Sequence, residues 1–502
     1  MSAPTRSVVD DALAADRLGA PSIIAFAMTA AAPLMTIGGV VTVGWATVSA
    51  DTGITGYPLA FLLMAAVLGL FSIGYMAMSR RINNTGAFYS YVAQGAGKPA
   101  GVAAAFTAFT AYNMMQVGLY GIFGATMQAF ITNKTGLAID WWIYAITAWA
   151  IVALLGVLRV DINGTVLLVI VAAEVAVVII FDTVFLANPA GGTISLSTFA
   201  PDNLFLPGIG AVAVTIFTAF VGFEAAAVYS EESRDRTRTV PVATYLALGL
   251  MVIFYAATAW AIAVTVGDDK LITTAATQQS EMMFTVAAER LGTSTVSDIG
   301  IILLITSVFA AMLSYHNTVA RYTYALAREH VLPTRLARTG MRSGAPKNAS
   351  ILQSIIGITV IAGFAIAGGD PLVQLFFVTG MTGGFGVLLL VTATAIAVVC
   401  FFAKNGGTEN IITRYLAPGA AAAILVAIVY AAIEAFPSLI GWKPTQPWWI
   451  FPAAFALIAA LGVTWALILK TTRPGSYQRI GAANTPTPPP HHDSPVLTGD
   501  RA

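Results

Sequence analysis

Apolar residues along this chain fall in blocks of roughly twenty, each long enough to cross the ~30 Å hydrocarbon layer of a bilayer. The blocks predict helices over about 22–49, 57–79, 99–131, 141–158, 164–187, 209–230, 242–266, 297–328, 351–368, 372–403, 416–436 and 448–470. The third, eighth and tenth are long, so they should tilt or run on into a loop. The pattern therefore predicts an all-α membrane protein of twelve transmembrane helices. A short cytosolic arm (1–20) precedes a membrane domain (21–470), and the stretch 471–502 is expected to be a disordered cytosolic tail. That tail contains ANTPTPPPHHDSP, which is polar and proline-rich. The first twenty residues lack the short apolar core and cleavage site of a signal peptide.

Composition fits this picture. Of 502 residues 57% are hydrophobic and only 10% charged, and the mean hydropathy is +0.80. A soluble domain carries about 25% charged residues, so too little charge is present to coat a water-soluble surface of this size. A net charge of +1 offers no basic face for nucleic acid. The single cysteine, Cys400, lies in an apolar run, which excludes a disulfide framework and a cysteine metal cluster. His491 and His492 sit in the tail, where nothing would fix a ligand geometry, so no metal or other cofactor is expected.

Charge placement orients the chain. With twelve crossings and the N-terminus inside, only Lys134, Lys270, Arg290 and Lys443 of the 25 Lys and Arg fall outside. The positive-inside rule then puts both termini in the cytosol of a cell (plasma or inner) membrane. In the outer segment 267–296, the stretch EMMFTVAAERLG spaces Met282, Phe284, Val286, Ala287 and Leu291 as one apolar helix face. It predicts a short amphipathic helix over the outer mouth, acting as a gate or as a plain loop helix.

Two predicted helices are interrupted. The first contains APLMTIGGVV (Ala32–Val41), with Pro33 ahead of the adjacent Gly38 and Gly39. The sixth contains FVGFEAAAVYSEES, with Gly222 beside Glu224. Freed backbone groups at mid-membrane are tolerated only where they line a cavity or are buried in protein. Each break would leave a half-helix N-terminus suited to a carboxylate and free carbonyls suited to an ammonium group. Helices one and six open two five-helix halves, repeat one over about 22–187 and repeat two over about 209–403, with two further helices over about 416–470. Inverted-repeat carriers place their substrate at such a pair of breaks.

Two acids stand out within the spans, Glu174 in LLVIVAAEVAVVII of helix five and Glu224 after the helix-six break. A charged carboxylate at the bilayer centre costs about 2.5–3.5 kcal/mol on insertion scales, so each should be protonated, paired or wetted. Glu224 reads either as a structural acid bonding the open backbone or as a proton-coupling one. For Glu174 the alternatives are an acid paired for packing or a titratable group, with no basic residue mid-span to pair with it. His316 and His330 read as packing or interfacial residues. The mixed-charge run EESRDRTR (231–238) reads as a solvated hinge after helix six.

Four stretches resemble the amino acid–polyamine–organocation permeases, which share the leucine-transporter fold. They are APLMTIGGVV, RRINNTGAFYSYVAQGAGKPAG (80–101), FVGFEAAAVYSEESRDRTRTVPVATY (220–245) and NTVARYTYALAREHVLP (317–333), in order across helices one to ten. The resemblance implies a secondary transporter for amino acids or related organic cations, working by alternating access. Its substrate contacts would fall on Thr36, Ile37, Gly38 and Gly39 of helix one and on Phe220, Val221, Gly222 and Phe223 of helix six. Tyr315 would be the aromatic gate, and Tyr112, Asn113 and Gln116 of helix three would line the same cavity. Reading Ile37-Gly38-Gly39, the chain departs from the family's frequent Gly-Ser-Gly break and lacks its hydroxyl. Glu174 falls on the helix where sodium-independent members carry a titratable residue, which implies proton-coupled uptake.

The partners so implied are a small amino acid or amine, a proton and the bilayer; no oligomeric state follows. Symport and exchange both remain open, as does a polyamine substrate, for which Glu174 and Glu224 would supply the acids. A dicarboxylic amino acid would need a buried cation that the spans do not show. An enzyme is not indicated: no HExxH pair, GxSxG elbow or phosphate loop is present. A channel's repeated pore loop and a receptor's sensor domain are missing as well.

Overall fold

The computed structural model describes residues 28–29, 31–82, 88–157, 160–224, 236–340 and 344–482. The described residues contain no strand. Among the described residues, helices follow each of the predicted blocks: α1 Pro33–Thr52, α2 Tyr57–Ser79, α3 Lys98–Thr135, α4 Trp141–Gly156, α5 Val160–Ala187 and α6 Ile209–Phe220 come first. The others are α7 Arg236–Val266, α8 Ser294–Arg328, α9 Lys347–Ala367, α10 Pro371–Asn405, α11 Ile412–Glu434 and α12 Ile450–Thr472. Among the described residues, nine helices are long and apolar enough to cross a bilayer, while α4 and α6 are apolar but shorter.

Local chemistry sets the ends. Pro58 and Pro99 occupy the first turns of α2 and α3, where a missing N–H costs nothing. Gly136 (φ 74°) and Gly368 (φ 66°) end α3 and α9 in the left-handed conformation. Large apolar side chains such as Leu154, Ile253 and Ile366 point outward, as lipid contact allows.

α3 runs through the middle of the bundle against α8, α10 and α12. Its crossing with α10 is backbone-close. A Cβ on Gly383 would lie 2.7 Å from Ala111 O, and one on Gly121 would collide with Pro371 O. Such small-residue contacts are how helices associate where lipid removes the hydrophobic drive. The ion pairs Arg81–Glu409 and Lys134–Asp298 (both 2.6 Å) each join residues that the predicted alternation puts on one face.

The outer segment is more structured than its sequence suggested. The expected helix is present as Met282–Leu291, with Met282, Phe284, Val286 and Ala287 buried and Leu291 exposed. A second helix, Asp268–Gln278, precedes it, and the chain turns between them at Gln279 (φ 44°). The pair packs against α1 from its π-helical stretch onward, where a Cβ on Gly38 would lie 3.2 Å from Ser280 O.

At the other end, residues 471–479 of the stretch expected to be disordered include helical structure. α12 continues to Thr472, and a short helix forms over Pro474–Arg479. Polar contacts hold it. Lys98 donates to Gln478 O (2.8 Å) and sits over the Tyr477 ring, while Gly481 N–H donates to Glu329 Oε2 (2.7 Å). The arm (1–20), His491, His492 and the run 231–235 lie outside the described residues.

Candidate functional site

The interruption of α1 falls at Ala32, whose φ of 40° and ψ of 80° leave the helix, and Pro33 restarts it. Proline has no N–H to donate and disfavours the α conformation in the residue before it. Gly38 and Gly39 lie downstream, inside a π-helical stretch, Thr36–Val41. The N–H opened by the break does not wait for a ligand: Leu34 donates it to Glu174 Oε2 of α5 at 3.3 Å. Ser307 Oγ of α8 donates to the same oxygen at 2.8 Å. Across the gap, Ala31 O accepts from Thr36 Oγ1 (2.6 Å) and from Tyr255 Oη of α7 (3.1 Å).

α6 stops at Phe220. Val221 turns to an extended ψ of 126°, and Gly222 takes φ 121°, a region that side chains with a Cβ rarely enter. Gly222 N–H donates to Glu224 Oε2 (2.9 Å), and Tyr112 Oη of α3 donates to Glu224 Oε1 (2.6 Å). Both acids are fully buried, and each accepts one backbone N–H at a break and one hydroxyl from a neighbouring helix. Neither has an ion-pair partner among the described residues.

Between the breaks lies a small void of about 30 Å³, room for about one water and not for an amino acid. Met35, Thr36 and Val40 of α1 line it, with Val221 beyond α6 and Tyr315 of α8. Met115 and Leu119 of α3 and Phe376 and Met381 of α10 close the rest. Thr36, Thr218 and Tyr315 are the polar side chains in this wall, and no charged side chain is part of it.

The residues expected to bind substrate therefore divide. Thr36, Val221 and Tyr315 are in the wall, and Tyr315 Oη reaches Met115 Sδ at 3.9 Å. Tyr112 stands beside Tyr315 with ring centroids 6.3 Å apart. Gly39 lies behind the wall, where a Cβ would come within 3.1 Å of Phe376 Cζ. Gly38 faces the outer segment, and Ile37 is buried outside the wall. Phe220 packs against Phe61 and Tyr255, and Phe223 against Phe71. Asn113 donates to Phe109 O of its own helix, while Gln116 bonds Gln353 of α9 and Tyr120. Neither lines the void. His316 is buried against Ser350 Oγ at 2.7 Å, a packing role.

Several participants were not singled out in the sequence. Ser307 and Tyr255 are a hydroxyl and a phenol inside apolar helices, and Met115, Phe376 and Met381 look like any lipid-compatible side chain. Asp182 is a third acid in α5, eight residues and so about two helical turns beyond Glu174. It accepts from Thr258 Oγ1 of α7 at 2.9 Å, and its other oxygen is buried without a partner.

Comparison with known proteins places this geometry in context. The profile of a family described as "Amino acid permease" matches residues 24–459. A dicarboxylic amino acid permease of Saccharomyces cerevisiae is 27% identical over 245 residues, which is 46% of this chain and 39% of the yeast protein. An uncharacterized transporter of Mycobacterium bovis is 31% identical over 147 residues, 29% of this chain and 31% of that protein. An uncharacterized transporter of Mycobacterium tuberculosis matches to the same extent. The chain thus spans about a third of the length of these relatives.

Proposed function

We propose that this chain, which belongs to the amino acid permease family, is a proton-coupled secondary transporter for amino acids with uncharged, apolar side chains. It is a membrane transporter and not an enzyme. The observation that carries the finer reading is the pair of broken helices, each closed by its own buried acid around one small apolar void. Backbone groups at the breaks, bonded here to Glu174, Glu224, Thr36 and Tyr255, would be released on opening to hold the substrate's carboxylate and ammonium groups, the ends common to every amino acid. The wall would then read the side chain.

Met35, Val40, Met115, Leu119, Phe376 and Met381 make that wall mostly apolar, with the hydroxyls of Thr36, Thr218 and Tyr315 set among them. A side-chain carboxylate or ammonium placed there would lose its water without a counter-charge, at a cost of several kcal/mol. The yeast relative's name specifies dicarboxylic substrates, but this wall holds no cation to meet a second carboxylate. A polyamine is disfavoured too, since among the described residues no acid lines this wall. Methionine side chains adapt to differently shaped apolar groups, so several such amino acids should share the site.

A void too small for any substrate fits a closed conformation within an alternating-access cycle. Opening it would move α1 or α6 and disturb the hydrogen bonds of Glu174 or Glu224. Either acid can then gain or lose a proton as its donors come and go, and Glu174, which joins α1, α5 and α8, is the stronger candidate. Twelve crossings, two inverted five-helix repeats followed by α11 and α12, and cytosolic termini in a cell membrane complete the proposal.

Competition binding tests the substrate class. Purified protein should bind radiolabelled methionine, and leucine or phenylalanine should displace it, while aspartate and putrescine should not. Displacement by aspartate or putrescine in preference to leucine would overturn the reading.

A further inference from the structure

A second cavity, remote from the breaks, lies where α8 leaves the bundle. It measures about 440 Å³ and is lined by Arg328, His330, Thr334, Arg335 and Arg338 with two alanines. Three guanidinium groups and an imidazole therefore converge on one pocket, and among the described residues no acid is in its wall. Glu329, the neighbouring carboxylate in sequence, turns away to accept Gly481 N–H at 2.7 Å.

Backbone and indole bonds hold the pocket in shape, and Arg328 also lies over the Tyr324 ring. Thr334–Ala337 forms a 3₁₀ turn, which brings Arg335 and Arg338 back toward the end of α8. Asn348 of α9 donates to Arg335 O (2.6 Å), and Trp465 of α12 donates its indole N–H to Val331 O (3.0 Å). Gly340 N–H closes the loop on Ala345 O at 2.9 Å. His330 itself adopts φ 64° and lies 2.8 Å from Arg479 Nη1. Its pKa is held below the usual histidine range by partial burial and by the charges of Arg479 and Arg473. The charges of Arg479 and Arg473 thus add to the positive field near His330.

We infer that this pocket is a binding site for a phosphate-bearing anion, and that its occupant is the headgroup of an anionic phospholipid. Guanidinium forks match phosphate oxygens in pairs and are weakly hydrated, so arginine is suited to this contact at an interface. A basic pocket beside the end of a membrane helix, on the side carrying the excess of Lys and Arg, sits level with lipid headgroups and fits their charge. The volume exceeds what a bare phosphate needs and leaves space for a glycerol-type headgroup. A bound headgroup would brace the end of α8, the helix that brings Ser307 and Tyr315 to the substrate site. The inference does not rest on the proposed substrate or on proton coupling.

The test uses the whole protein in a neutral detergent and the Arg335→Ala/Arg338→Ala double variant. Both arginines are exposed, and an unchanged melting temperature without added lipid would show that the variant is folded. Melting temperature is followed while phosphatidylglycerol, phosphatidylcholine or inorganic phosphate is added. Phosphatidylglycerol should raise the melting temperature of the wild-type protein, and phosphatidylcholine should not. The double variant should need roughly thirtyfold more phosphatidylglycerol for the same shift, and salt should weaken the wild-type response. An equal shift from inorganic phosphate, lost in the variant, would keep the phosphate site but make a free anion its occupant. Identical responses of the two proteins to phosphatidylglycerol, or no response in either, would overturn the inference.

Discussion

The Glu174 carboxylate accepts the backbone N–H of Leu34, so a side chain of α5 caps the restarted half of α1 (3.3 Å). The same oxygen takes Ser307 Oγ from α8, which ties three helices to one atom. Removing that acceptor should therefore cost more than changing its charge. Glu174→Ala leaves a buried N–H unpaired, a loss of about 1–3 kcal/mol, whereas Glu174→Gln keeps an amide oxygen in place. Melting curves of the detergent-solubilised proteins should rank wild type and Glu174→Gln close together, with Glu174→Ala clearly lower. Equal destabilisation by both substitutions would show that the cap contributes little.

Gly39 sets the position of a cavity wall. A Cβ there would meet Ile122 Cδ1 at 3.0 Å and Phe376 Cζ at 3.1 Å, tighter than normal packing. Gly39→Ala should push Phe376 toward the void and weaken substrate binding roughly tenfold, the scale of core overpacking. Trimming the neighbour in the double variant Gly39→Ala/Phe376→Leu should restore part of that loss, because residues in contact are energetically coupled. Additive losses would mean that Gly39 acts elsewhere.

Topology can be checked by labelling from outside. Ser280 is buried under the outer helices, so exposed Glu289 is the better probe of that segment, and exposed Thr408 of the opposite face. In a background lacking Cys400, Glu289→Cys should react with an impermeant maleimide on intact cells, and Thr408→Cys only after permeabilisation. The reverse pattern would invert the orientation read from the Lys and Arg distribution.

Much of the fold was legible because a membrane helix must satisfy its own backbone, and only long apolar blocks can do so in lipid. The site was harder to place. The Gly38-Gly39 pair drew the break of α1 toward itself, yet glycine also tolerates a π turn, and Pro33 is the residue that cannot donate to the ladder. In the 38-residue α3, small errors of helical phase decide which face meets the cavity. Tyr112 and Met115 turn to the site, while Gln116 turns to Gln353. Asp182 passed unnoticed among valines and phenylalanines near the end of α5. Side chains such as Met115 and Phe376 carry no signal of their own, since an apolar substrate wall and an apolar lipid face use the same residues.

Proton coupling through Glu174 is the central claim, and counterflow against net uptake in proteoliposomes tests it most directly. Wild-type protein should accumulate methionine when an inward proton gradient is imposed, with no response to sodium, and should also exchange internal for external methionine without a gradient. Glu174→Gln cannot ionise, so it should keep exchange and lose gradient-driven accumulation. Accumulation by Glu174→Gln that still follows the proton gradient, or a wild-type protein driven by sodium, would contradict the account.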